Sequence, residues 1–332
     1  MNRVTYCNWN QDTMGPIFDQ HGLEQGGVNS SDLYKIYNNN LLKSIQKLEQ
    51  GVDLGDGPKI SVVGQADDIG LLSNCIYSLH NILTLVLTFC NLYKIDLCAD
   101  KTKLLLFTPN NYQILPFNPI VINNKNIQFG DCAEHVGVIM SPDGNLPHIL
   151  NRISAHMKQL GALVFTGIAR SHRSNPAASI KLEKIYGVPV LFSGTASLVL
   201  SNSEMNIIDQ HYKNMLCHLL KLHPRTPQSF IYFMSGSLPA SAILHLKQLS
   251  LFNMICHLPT DPLHRRAIRS LSCSKPSSKS WFTQIRNICL QYCLPHPLQL
   301  LLNPPSKSSL KKLFKASIID HWESKLRGKP PF

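Results

Sequence analysis

Two adjacent carboxylates, Asp67 and Asp68, sit inside an otherwise apolar run at residues 60–72, Ile-Ser-Val-Val-Gly-Gln-Ala-Asp-Asp-Ile-Gly-Leu-Leu. Burying such a pair among β-branched and aliphatic side chains is costly without a counter-charge. Hard carboxylate oxygens are the ligands magnesium prefers. An apolar strand, a tight turn bearing the acids and a second apolar strand would present both carboxylates to a cation and to a phosphate. A hairpin turn rich in acids is also commonly no more than solvated, and the dipeptide alone leaves both readings open.

The neighbouring segments narrow the choice. Upstream, Gly22-Leu23-Glu24-Gln25-Gly26-Gly27-Val28-Asn29-Ser30 leads into Asp32-Leu33-Tyr34-Lys35-Ile36-Tyr37. Downstream come Asp100-Lys101-Thr102-Lys103 and then His135-Val136-Gly137-Val138. In this order the four motifs resemble the reverse transcriptases of non-LTR (LINE-type) retrotransposons. The family's Gln-Gly turn with its following Ser is matched by Gln25, Gly26 and Ser30. Its Ala-Asp-Asp turn is matched by Ala66-Asp67-Asp68, its Asp-Lys-Thr-Lys segment by residues 100–103, and its Leu-Gly-Val turn by Val136-Gly137-Val138. The likeness continues more faintly through a helix expected over 152–163, Ile185-Tyr186-Gly187, Thr226-Pro227 and Gly236-Ser237-Leu238-Pro239, so coverage from residue 20 to about 255 is expected.

The resemblance implies an α+β fold: a partial polymerase palm, an antiparallel sheet with helices, followed by a mainly helical thumb. The expected divisions are 1–144 (palm), 145–258 (thumb) and 259–332 (basic linker and helical tail). It implies an RNA-directed DNA polymerase that uses deoxynucleotides on an RNA template with a DNA primer. Asp67 would be the main metal ligand and Asp68 a supporting one. Lys101 would near the triphosphate, although a solvated turn lysine is an equal alternative. Gln25, Gly26 and Ser30 would line the nucleotide and template pocket, where a glycine lets the backbone approach closely.

Some family features have no counterpart. The first catalytic aspartate of the family precedes the Gln-Gly turn, and neither Asp12 nor Asp19 is expected on the apolar strand that should carry it. Gln65 replaces an aromatic, Cys98 stands where Asn is common, and Glu24 and Asn29 are unusual in the Gln-Gly turn. Two Mg2+ ions about 4 Å apart clamp the transferred phosphoryl group in this chemistry. Asp67 and Asp68 alone are expected to hold at most one, weakly. The chain is therefore expected to be a piece of such a polymerase, inactive by itself; a nucleic-acid-binding remnant without catalysis is the alternative.

Charge is unevenly spread along the 332 residues, whose formal net charge is +12. Residues 1–150 carry 9 Lys/Arg and 14 Asp/Glu, whereas residues 151–332 carry 23 and 6. A basic second half suits contact with the phosphate backbone of an RNA–DNA duplex without base reading. The ten cysteines include several in apolar stretches, where a free thiol packs as a small hydrophobe. With no signal peptide, an intracellular setting, nucleus or cytoplasm and not secreted, is expected. Cys273, Cys289, Cys293 and His296 invite a zinc reading, but their spacing fits neither knuckle nor finger. The apolar run at 82–89 is too short to span a bilayer and reads as a core helix, so no membrane partner is expected.

Helices are expected over 32–50, 78–92, 177–186, 203–222, 240–257 and 308–326, and the acid-bearing hairpin over 59–72. A strand is expected at 103–107, one pair of strands within 120–139 about the Asn123-Asn124 turn, and a polar linker over 259–280.

Overall fold

Two-residue turns with left-handed backbone organise much of the β structure. The computed structural model describes residues 3–9, 12–19, 29–53, 59–108, 119–165, 175–273 and 279–327. Among the described residues, eight strands form four separate antiparallel pairs: β1 (Arg3–Trp9) with β2 (Asp12–Asp19), β3 (Val62–Gln65) with β4 (Asp68–Leu71), β5 (Ile120–Ile122) with β6 (Lys125–Ile127), and β7 (Ala133–His135) with β8 (Val138–Met140). Asn123 and Asn124 have φ of 48° and 61°, and Val136 and Gly137 have 51° and 75°. Positive φ at both central residues matches the right-handed twist of the flanking strands, and Asn and Gly adopt it readily. The expected α+β class holds, with helices beside small antiparallel sheets. An antiparallel sheet with helices is expected, and the described strands form four two-stranded antiparallel ribbons.

The chain divides into two compact units, and the break falls between Leu97 and Cys98. The first, residues 1–53 and 58–97, holds β1 to β4, α1 (Ser30–Lys47) and α2 (Ile76–Tyr93). Leu41 and Ile45 of α1 meet Ile82, Val86 and Cys90 of α2 in a small core, joined by Val62, Ile69 and Leu71 of the β3–β4 hairpin. The 3–4 residue spacing of these apolar positions gives each helix one buried stripe. α2 ends at Lys94, whose φ of 55° turns the chain so that the Ile95 N–H reaches the Cys90 carbonyl at 2.8 Å.

The second unit is mainly helical. It comprises α3 (Leu146–Phe165), α4 (Pro176–Leu182), α5 (Val188–Leu191), α6 (Asn202–Leu219), α7 (Gln228–Ser235), α8 (Ala240–Cys256), α9 (Pro262–Cys273), α10 (Trp281–Gln291), α11 (Pro297–Leu302) and α12 (Lys307–Arg327), with β5 to β8 ahead of them. One core gathers Ile149, Ile208, Tyr212, Leu216 and Leu244; another gathers Leu249, Phe252, Ile285, Ile288, Phe314 and Ile318. At the head of α6, Ser201 and Glu204 form a reciprocal capping box. The same Glu204 carboxylate accepts the Asn145 N–H at 3.0 Å, tying the start of α3 to the start of α6.

Several expected elements take different form. Residues 103–107 are not a strand; only Leu104 pairs, in a single parallel bridge to Phe129. Within 120–139 there are two hairpins rather than one pair, because a second left-handed turn at Val136-Gly137 follows the first. The expected linker over 259–280 contains α9. Its basic residues hide an amphipathic helix that buries His264, Ala267 and Leu271 at helical spacing and starts at Asp261, which accepts the Leu263 N–H at 2.7 Å. The helix expected over 177–186 gives way after Leu182 to a π-helical turn, Glu183–Gly187. Helices α7, α10 and α11 were outside the expected set. Asp19 closes a strand that carries Met14, Ile17 and Phe18, so an apolar strand does lead into it.

Among the described residues α2 is long and apolar enough to cross a membrane by length and composition, and α7 with α8 would pass together but for a 59° bend. The run is thus longer than expected. In the fold α2 buries Ile82, Val86 and Cys90 against α1, as a core helix does.

Candidate active site

The acid pair stands at the tip of the β3–β4 hairpin. The register pairs Val62 with Leu71, Gly64 with Ile69 and Gln65 with Asp68, leaving Ala66 and Asp67 as the two-residue turn. Ala66 has a φ of 53°, the left-handed conformation that closes so short a loop. Strand alternation sends Val62, Ile69 and Leu71 toward the helical core. Asp68 and Gln65, one register step away, fall on the opposite face. Both carboxylates are exposed. The cost of burying them therefore does not arise; the apolar run is satisfied because its acids protrude from the core.

Contacts from α1 and from the segment behind it fix the base of this hairpin. Gln46 donates its side-chain amide to the Lys59 carbonyl, and its Oε1 accepts the Ser61 N–H at 3.4 Å. Val52 and Ile60 exchange both backbone hydrogen bonds, at 2.9 and 3.0 Å. Gly51 lies so close to Ile60 that a Cβ there would overlap the Ile60 carbonyl. The Leu72 N–H closes on the Ser61 carbonyl at 2.9 Å, and Gly64 rests against Leu42. Sequence reasoning missed Gln46 and Gly51. Their contacts join residues about ten to fifteen positions apart across a loop, and no local pattern encodes that.

The other expected site residues belong to other segments of the chain. Ser30 is the first residue of α1 and half-buried; Gln25 and Gly26 lie outside the described residues. Lys101 is exposed on a turn of the second unit, its N–H bonded to the Cys98 carbonyl at 3.2 Å. Beside it, Lys125 bonds Asp100 at 2.8 Å and holds the Asp100 carboxyl below its ordinary range. So exposed a pair adds little stability.

Among the described residues no three His, Cys, Asp or Glu side chains are grouped to hold a metal. Cys289 is buried and its thiol is pushed up to about 12 by desolvation, Cys273 and Cys293 are exposed, and the His296 Nδ1 accepts the Leu298 N–H at the head of α11. The donor chemistry of Asp67 and Asp68 suits magnesium.

Residues 2–138 match the family model described as reverse transcriptase (RNA-dependent DNA polymerase). This stretch is reverse-transcriptase-like. It takes in both the acid-bearing hairpin and the Asp100–Lys103 turn and ends within the β7–β8 hairpin. It begins earlier than the expected residue 20 and covers less than half of the chain. No curated protein and no solved structure matches the chain. The reverse transcriptase family works on a nucleic-acid template with nucleotide substrates.

Proposed function

We propose that the chain is part of a non-LTR, LINE-type reverse transcriptase, with palm over 1–144, thumb over 145–258 and a basic tail over 259–332. The observation that carries this reading is the Ala66-Asp67-Asp68 turn, exposed at the tip of a hairpin whose inner face is locked onto two helices, within a reverse-transcriptase-like stretch. In this reading Asp67 is the principal magnesium ligand and Asp68 supports it. Lys101 serves the triphosphate, and Gln25, Gly26 and Ser30 line the pocket for template and incoming deoxynucleotide. A bound Mg2+ would supply charge neutralisation at the phosphates. The chain's own contribution is a rigid turn that holds two carboxylates clear of the core, so that coordination costs no unfolding of the hairpin.

The described residues bring two carboxylates to this turn, and residues 1–332 alone are expected to extend a primer negligibly. A second reading, a nucleic-acid-binding remnant, is favoured by the charge of residues 151–332, with 23 Lys/Arg against 6 Asp/Glu. Such a surface holds an RNA–DNA duplex by counterion release, and binding would fall steeply with salt. RNA-templated primer extension by the purified chain, in magnesium and then manganese and beside Asp67→Ala, separates the two. Extension that disappears in the variant would show a completed metal site and overturn the expected inactivity. Absence of extension with salt-sensitive duplex binding would support the remnant.

A further inference from the structure

Three titratable side chains form a line through the interior of the second unit. Glu183 and His156 are 1% and 0% exposed, and His211 is half-buried. His156 Nε2 lies 3.0 and 3.2 Å from the two Glu183 carboxylate oxygens, and its Nδ1 lies 2.8 Å from His211 Nε2. Each residue comes from a different element: His156 from α3, Glu183 from the π-helical turn, His211 from α6. The turn makes room for the acid, since a Cβ at Gly187 would overlap the Glu183 carboxylate. π-Helical turns of this kind recur at functional sites.

The geometry constrains the protons. A buried carboxylate is tolerable only with a compensating charge or donor. His156 Nε2–H supplies the donor, which leaves Nδ1 facing His211 Nε2 with room for one proton between two nitrogens. With one proton between the two nitrogens, all facing atoms are bonded, whichever ring carries it. With none, two lone pairs face each other across 2.8 Å. With two, an N–H points at an N–H across 2.8 Å and the bond is lost. Desolvation, reinforced by the charge of His156, lowers His211 to about 4, in keeping with resistance to that second proton.

Other charged groups nearby are engaged elsewhere. Tyr212 of α6 is buried and stays a neutral phenol, raised first by desolvation and further by the Glu183 charge. Asp209 of α6 accepts the Ser241 N–H of α8 at 3.2 Å. Lys184 of the π-turn bonds the Ser235 and Gly236 carbonyls at 3.0 and 2.7 Å, closing the end of α7. Lys181 of α4 is exposed, and α5 has no ionisable side chain.

We propose that Glu183, His156 and His211 form a single-proton latch that fastens α6 to α3 and the π-turn, and that a second proton releases it. Hydrogen exchange of the whole chain read peptide by peptide tests this directly. After correction for intrinsic rates, protection over 150–160 and 204–214 should fall roughly tenfold more than that of α10 between pH 7 and pH 4.5. His211→Gln keeps an acceptor for His156 but cannot take the proton, and should remove the selective loss. Should that variant fail to fold, Glu183→Gln, which removes the charge that holds the first proton, should lower protection of the same peptides already at pH 7. Uniform loss across the helices in the wild-type chain, or an unchanged profile in a folded His211→Gln, would overturn the latch.

Discussion

Gly194 shows how much one residue can carry where two structural pieces meet. Its φ is 74°, and a Cβ there would lie 2.8 Å from Val138 Cγ2 and 3.1 Å from the His148 ring. That ring is fully buried; its Nδ1 accepts the Ile139 N–H at 3.2 Å and its Nε2 donates to the Ser193 carbonyl at 2.9 Å. It therefore sits as a neutral imidazole bridging the β7–β8 hairpin to the end of α5. Gly194→Ala should cost about 1–3 kcal/mol, combining left-handed strain with displacement of His148. The urea midpoint measures it, and an unchanged midpoint would mean that Val138 and the ring simply give way. In the sequence Gly194 reads only as a breaker of an apolar run. Its partners lie about fifty residues upstream, so nothing local points to them.

At the scale of elements, hairpins were the most legible features and their number the least. The acid-bearing hairpin and the Asn123-Asn124 turn were predictable, because alternation and turn-forming residues are local properties. The β7–β8 hairpin was missed, since it places Val136, a β-branched residue, at a φ of 51° where Asn or Gly is normal. With 54% of its surface exposed, Val136 has little packing to offset that strain. Val136→Asn should therefore stabilise the chain by about 0.5–1 kcal/mol, read as a higher urea midpoint. A lower midpoint would show that the valine packs more productively than its exposure suggests. α9 was hidden for the opposite reason: its arginines masked a buried stripe that matters only once α10 and α11 are there to receive it.

The whole molecule should be sensitive to mild acid. His148, His211 and His245 all have lowered pKa values, the latter two to about 4, chiefly because burial disfavours the cation. In the unfolded chain each titrates near 6.5. Between those values the unfolded state binds more protons, so stability falls as pH falls. Their contribution is complete above about pH 6.5 and is lost progressively toward pH 4. Unfolding free energy should drop by at least about 1 kcal/mol between pH 7 and pH 4.5, on the scale of one pKa unit per 1.4 kcal/mol. A flat profile by urea titration at each pH would show that the three rings remain solvated. Composition revealed the basic second half but not these three histidines, because burial is a property of packing rather than of residue type.

The sequence by itself determined the chemistry on offer. Asp67 and Asp68 between two apolar strands, the ordered motifs around them and the helical periodicities are written in short-range patterns, and short-range patterns survive without tertiary context. Tertiary structure decided where that chemistry sits. It put both acids at an exposed tip rather than in a core, assigned Lys101 to the second unit, clamped the hairpin through Gln46 and Gly51, and threaded buried Glu183 and His156 and half-buried His211 into one line. Each of these depends on contacts between residues distant in the chain, whose energies arise only when the helices have packed and water has been excluded.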